Sequence, residues 1–228
     1  MNMSSNSPQV RPANKPLVLD DQRQHLLLCA SGSVATIKIP LMIKALSGYP
    51  YLSIRLILTT SAAAFLAGQA EEQPSLSAIA ELPNVEAIYL DEDEWAKPWV
   101  RGDKILHIEL RRWADIMVVA PLSANSLAKV AGGICDNLLL STFRAWDTTG
   151  LKIIIVAPAM NTAMWLHPIT QKHVKLLQEE WSIEQGGWIE LLKPVEKEIA
   201  CGDVGIGGMR EWREIVEVIE SRMRLKNA

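Results

Sequence analysis

The stretch "HLLLCASGSVA", residues 25–35, decides the fold. An apolar run from Leu26 to Ala30 breaks at Ser31, Gly32 and Ser33, and helical spacing then continues through Ile37, Leu41 and Ala45. A short apolar run closed by a turn signal suits a strand buried on both faces. Pro40 falls inside the helical stretch 33–48 and marks a kink there. The same grammar recurs along the chain. "LSIRLILTT" (52–60) leads into "SAAAFLAG", while "DIMVVAP" (115–121) and "LKIIIVAP" (151–158) are buried strands ending at a proline. "SANSLAKVAGG" and "DNLLLSTFRAW" carry helical patterns between them. A helix over 168–180, a short strand near "WIELL" (188–192) and a helix over 211–225 follow. Strands alternating with helices predict an α/β fold with a parallel sheet covered on both faces. Ligands of such sheets gather outside the carboxyl ends of the strands.

Bulk properties set the remaining bounds. A chain of 228 residues, 49% hydrophobic and 21% charged, fits one domain with a sizeable core. A net charge of -3 gives no electrostatic case for nucleic acid or an anionic membrane. No apolar run approaches the roughly 20 residues that span a bilayer. Residues 1–24 are polar, rich in Ser, Asn, Pro and Gln, and read as a disordered leader ahead of a single folded domain over 25–228. The three cysteines, Cys29, Cys135 and Cys201, are widely spaced and odd in number, which disfavours a disulfide framework and a Cys-x-x-Cys metal site. The expectation is a cytoplasmic protein with no metal centre.

The strand-end turns carry the first functional signal. "ASGSVA" (30–35) offers Gly32 and the Ser31 and Ser33 hydroxyls at a helix start, as a phosphate site or as a capping turn. Gly32 stands alone where a dinucleotide fingerprint needs three glycines. "TTSAAA" (59–64) and "APLSAN" (120–125) repeat the theme with Thr59, Thr60 and Ser61, then Ser123 and Asn125. Three such turns suggest one mononucleotide-sized ligand.

Other stretches are less generic. "APAMNTAMW" (157–165) places Asn161 just after a strand, as a holder of a carboxylate or amide, or as a helix cap beside a Met and Trp cluster. His107 lies on a probable helix in "ILHIELRRWAD" (105–115), where a lone histidine is more often structural than catalytic. The acidic run "DEDEW" (91–95) reads as a solvated loop. "EIACGDVGIGGM" (198–209) has four glycines around Cys201 and no bracketing strand-to-helix turn, so its glycines suggest motion rather than a phosphate cradle.

Taken in order, "ASGSVA", "HIELRRWAD", "APLSANSLAKVAGGICDNLL", "RAWD", "APAMNTAMW" and "ACGDVGIGGM" resemble the homo-oligomeric flavin-containing cysteine decarboxylases. Within that family they are most similar to the branch acting on phosphopantothenoylcysteine, which includes fungal halotolerance proteins. The likeness runs from about residue 25 to 222, and its "PAMNTAMW" and "ACGDVGIGGM" motifs are specific.

The resemblance implies a flavodoxin-like, Rossmann-type fold, FMN as cofactor, and a cytoplasmic homotrimer with active sites between subunits. It implies decarboxylation of phosphopantothenoylcysteine to phosphopantetheine in coenzyme A biosynthesis. It assigns FMN contacts to Gly32, Ser33, Val34, Thr60, Ser61, Ser123, Ala124, Asn125, Ser126 and Ala157. Substrate contacts fall on Asn161, Ala200 and Met209, and catalysis on His107 as base and Cys201 as proton donor. Residues 193–210 would form a substrate flap. Oxidation at the carbon bearing sulfur would create a C=S group able to accept the electrons released with carbon dioxide. Two other functions remain on the same scaffold: a regulatory subunit that inhibits a protein phosphatase, and a decarboxylase of a peptide's C-terminal cysteine.

Overall fold

A computed structural model of the chain describes residues 14–19, 21–198 and 204–226. Six parallel strands form its sheet: β1 (Gln24–Ala30), β2 (Leu52–Leu58), β3 (Val85–Tyr89), β4 (Ile116–Leu122), β5 (Ile154–Pro158) and β6 (Ile189–Leu191). Their order is β3-β2-β1-β4-β5-β6, so the chain reverses its direction of winding between β1 and β4. Every neighbouring pair is parallel. This is the doubly wound, Rossmann-type arrangement expected from the sequence, with its topological switch point at β1/β4.

The central strands are buried on both faces and mostly apolar, with His25 of β1 and Ser53 and Arg55 of β2 as buried polar exceptions. In β1, Leu26, Leu28 and Ala30 join one core cluster, while Leu27 and Cys29 join the other. That period of two is the pleat. The first cluster is closed by α1 (Ile39–Ala45), through Ile39, Met42 and Ile43, and by the terminal helix described below. The second is closed by helices that follow β3 and β4, through Leu110, Leu127 and Leu139, and by those after β5, through Trp165 and Val174. Pro40 does not kink a continuous helix. It occupies the first turn of α1, after a separate 3₁₀ turn over Val34–Lys38, where a missing N–H costs nothing.

The remaining helices follow in order. Behind β2 come α2 (Thr60–Ala63) and α3 (Leu76–Ala80). The stretch after β3 holds α4 (Asp91–Glu94) and α5 (Leu106–Trp113). Next are α6 (Ala124–Gly132) and α7 (Leu138–Arg144), then α8 (Thr162–Leu166) and α9 (Pro168–Lys175). A two-stranded antiparallel hairpin of β7 (Val195–Glu198) and β8 (Val204–Gly208) precedes α10 (Trp212–Met223). On α10, Ile215, Ile219 and Met223 complete the first cluster.

Two sequence expectations change. β3, "VEAIY", is a fully integrated edge strand that periodicity did not single out. The leader expected over 1–24 is ordered at its inner end. Lys15 N donates to Glu86 O at 3.1 Å, and the Asn14 side chain pairs with both backbone groups of Ile88. Fully buried Arg55 of β2 donates to the carbonyls of Lys15 and Pro16 at 2.9 and 2.7 Å. The same guanidinium reaches Tyr89 OH at 2.6 Å and Glu86 Oε2 at 3.1 Å, and lies over the Trp113 ring. A buried cation is costly unless paired, and these acceptors take up both terminal nitrogens, while Nε is buried without a hydrogen-bond partner among the described residues.

Candidate functional site

The switch point opens into a cavity of about 860 Å³ at the carboxyl edge of the sheet. That volume is within the range of small-molecule sites. Three turns and one hairpin strand build it. The first turn follows β1: Gly32, Ser33 and Val34 line the cavity, and Ser33 caps the 3₁₀ turn by accepting from Ala35 N. A Cβ at Gly32 would run into Ser61 of the neighbouring turn, so only glycine lets the two turns come this close. The second turn follows β2, where Thr59 caps α2 and its hydroxyl lies 3.1 Å from Ser61 Oγ.

The third turn follows β4. Ser123 Oγ accepts from Ser126 N at 3.2 Å to cap α6, and Ser123 N donates to buried Ser31 Oγ at 2.8 Å. Ser31 in turn donates to Pro121 O at 3.2 Å, which ties the β1 and β4 turns into one unit. Ala124 and Asn125 then reach the cavity wall. The first N–H groups of helices have no partner within the helix, so converging helix starts offer donors to an anion.

The opposite wall is "APAMN" and the end of β8. Asn161 Oδ1 caps α8 by accepting from Met164 N at 2.8 Å, which leaves its amide N–H groups for a ligand. Met160 N donates to Gly207 O at 2.9 Å and binds the hairpin to this wall. The glycines of β8 are therefore close-approach residues in a paired strand. A Cβ at Gly205 would collide with Thr162, and Gly207 has φ +136° with Met160 and Asn161 backbone against it. Met209 follows, buried, at the cavity's inner wall, and Lys38 and Arg210 bring positive charge to it.

Most of the sequence-predicted contacts thus meet in one cavity: Gly32, Ser33, Val34, Ser61, Ser123, Ala124, Asn125, Asn161 and Met209. Ser126 and Ala157 stand behind its lining, and exposed Thr60 lies outside it. Thr60 Oγ1 donates to Asp91 at 3.3 Å, Ser126 is buried under the α6 cap, and Ala157 is fully buried in β5. Ala200 and Cys201 lie outside the described residues, in the connection between β7 and β8. Cys29 is fully buried, and burial pushes its thiol up, which leaves it inert. The donors present fit a flavin mononucleotide: hydroxyls and helix starts for a phosphate, and an apolar wall of Val34, Met160 and Met164 for a ring.

His107 sits elsewhere, in the first turn of α5 and outside the cavity lining. Its Nδ1 is 2.9 Å from Glu94 Oε1 at the end of α4. The run "DEDEW", expected to be a solvated loop, is this short helix, and three of its carboxylates are engaged. Asp91 accepts from Leu138 N and from Thr60, Asp93 Oδ2 accepts from Leu90 N at 2.7 Å, and Glu94 holds His107. The missed signal was β3: once "VEAIY" is a strand, the acidic run stands at the same carboxyl edge as the other turns. Below it, Glu109 is ion-paired to Lys104 and Arg112, which hold its carboxyl below the usual range.

Comparison with known proteins gives a consistent picture. A family model described as Flavoprotein matches residues 15–224. "Coenzyme A biosynthesis protein 3" of Saccharomyces cerevisiae is 44% identical over 214 residues, 90% of this chain. The chain spans about a third of the length of the first curated relatives it matches, 33% and 34%. A phosphopantothenoylcysteine decarboxylase of Arabidopsis thaliana is 45% identical over 190 residues, covering 83% of this chain and 80% of that protein. Among solved structures, a cysteine-to-serine variant of PPC decarboxylase complexed with pantothenoylaminoethenethiol aligns with TM-score 0.72 and 41% identity, over 89% of this chain and 99% of the other. "The FMN binding protein AtHal3" aligns with TM-score 0.69 and 42% identity, over 88% and 96% of the two chains.

Proposed function

The chain belongs to the Flavoprotein family, and on that footing we propose that it is an FMN-dependent decarboxylase of phosphopantothenoylcysteine, forming phosphopantetheine in coenzyme A biosynthesis. The observation that carries this reading is the cavity at the switch point, where four separated stretches put hydroxyls, helix starts and the Asn161 amide around one mononucleotide-sized space.

Bound FMN supplies the two-electron chemistry that makes loss of carbon dioxide possible. The protein's own residues bind, orient and move protons. The turns at Gly32–Val34, Thr60–Ser61 and Ser123–Ser126, with Ala157 beneath them, hold the cofactor. Asn161 orients the substrate carboxylate through its free amide N–H groups, assisted by Met209 and the backbone at Ala200. His107 takes a proton in the oxidative half, and Cys201 returns one to the product. Cys201 belongs to the proposed flap of 193–210, whose strand β8 is bound to the cavity wall through Met160 N and Gly207 O.

The separation of His107 from the cavity in one chain supports a homotrimer in which a neighbouring subunit completes each site. Apolar side chains exposed beside the cavity, among them Val34, Met164 and Leu166, support such burial. The proposed enzyme is cytoplasmic; separately, among the described residues no helix is long and apolar enough to cross a membrane.

Carbon dioxide release from phosphopantothenoylcysteine by the purified, flavin-replete protein tests the reading. Turnover that disappears in His107→Asn and in Cys201→Ser supports it. A wild type that keeps its flavin and captures a protein phosphatase, yet releases no carbon dioxide, overturns it in favour of the regulatory function. Turnover only on peptides ending in cysteine reassigns the substrate.

A further inference from the structure

The α4–α5 corner contains a buried group with no part in the chemistry above. The Glu94 side chain is 4% exposed, against 22% for the His107 imidazole it contacts. One oxygen takes the 2.9 Å contact with His107 Nδ1, and the other, Oε2, is buried without a hydrogen-bond partner among the described residues. Such a carboxylate is costly to bury unless its charge is used. Its helix is fixed at its start. Asp93 caps Leu90 N, and Asp91 is bound by Leu138 N of α7 and by Thr60 of the cavity's second turn. Glu94 is therefore held in place independently of the imidazole.

A carboxylate against one ring nitrogen does two things. It keeps the proton of the neutral ring on Nδ1, leaving the lone pair on Nε2, and it stabilises the imidazolium formed when Nε2 takes a proton. We propose that Glu94 is the positioning residue for His107, fixing the Nδ1–H tautomer and presenting Nε2 as the base. The inference deepens the proposed function and rests on its assignment of His107. Glu94 moves no proton itself: the substrate proton goes to Nε2, and the Nδ1 proton stays in place.

The test pairs imidazole ¹⁵N NMR with decarboxylation kinetics on the flavin-replete protein. The chain has 4 histidines, so His107→Asn assigns the signal. At alkaline pH, where histidine is neutral, the wild type gives a protonated Nδ1 and a bare Nε2 at His107. In Glu94→Ala the signal shifts toward the mixed or opposite tautomer, and kcat falls on the order of 10²- to 10³-fold with KM nearly unchanged. Glu94→Gln keeps the volume and the fold but not the charge, and shows the same kcat loss with flavin content intact. An unchanged tautomer in Glu94→Ala overturns the proposal, as does an altered tautomer with undiminished kcat. Full turnover in His107→Asn is a different result: it removes the base assignment, and with it the role proposed for Glu94.

Discussion

The cavity at the switch point and the α4–α5 corner are built from opposite materials. Around the cavity, backbone turns, small residues and helix starts do the shaping: a Cβ has no room at Gly32, and Ser31 and Ser123 lock two turns together. At the corner, charged side chains reach across elements distant in sequence, with Glu94 on His107 and Arg55 over the Trp113 ring. A backbone cradle suits a cofactor that stays bound, since its donors cannot rotate away. A side-chain clamp suits a group that must gain and lose a proton, since its charge can respond to that change.

The comparison is broken most severely at Arg55. Arg55→Ala removes the donor shared by Lys15 O, Pro16 O, Tyr89 and Glu86, and leaves buried acceptors behind. Denaturant unfolding should show a loss of about 3–5 kcal/mol, with flavin affinity little changed in the protein that remains folded. An equal loss of flavin affinity would mean that the two regions are not separate structures.

Gly32→Val attacks the other side. Its Cβ must displace Ser61, and overpacking of about 1–3 kcal/mol weakens flavin binding about 10- to 100-fold. Flavin retained per chain after gel filtration measures this. Retention equal to wild type would remove the turn from the cofactor site.

Ser123→Ala is milder. It deletes the α6 cap and should lower stability by about 1 kcal/mol, read as a reduced thermal midpoint. Because Ser31 holds Ser123 through the backbone N–H, the turn keeps its course and flavin affinity falls less than in Gly32→Val.

The smallest effect is at Glu109. Lys104 and then Arg112 hold its carboxyl below the usual range, so the folded state binds fewer protons than the unfolded one there. Its contribution is complete above the ordinary glutamate pKa of about 4.3 and is lost as pH falls through the folded value. Glu109→Gln should cost about 0.2–1 kcal/mol at neutral pH, with the gap to wild type closing in acid. A gap independent of pH would show that the carboxylate's charge plays no part.

The same contrast explains how much the sequence discloses. The strands β1, β4 and β5 carry continuous apolar runs, and β2 one interrupted only by Ser53 and Arg55; each ends at small or proline residues, and the turns behind three of them hold most of the predicted cofactor contacts. That grammar is local. β3 has only five residues, with Glu86 turned toward Arg55 and Arg23, so no apolar run announces it. Without β3 the acidic run had no address, and the separation of 13 positions from Glu94 to His107 follows no helical or strand spacing. The glycines of β8 were legible as glycines, but the reason for them, the approach of Thr162 and Met160, is tertiary. The docking of residues 14–19 was hidden for the same reason: Asn14 and Lys15 look like leader until Arg55 and the edge of β3 are in place.

In the proposed enzyme, cavity and corner are two halves of one active site, joined between chains. Co-expression of a His107→Asn chain with an Asn161→Asp chain tests it directly, since each variant should be inactive alone while retaining one intact half. The account predicts that mixed oligomers recover a substantial fraction of wild-type carbon dioxide release, because sites pairing the intact cavity with the intact corner re-form. Mixed oligomers that assemble and hold flavin but show no recovery would contradict it.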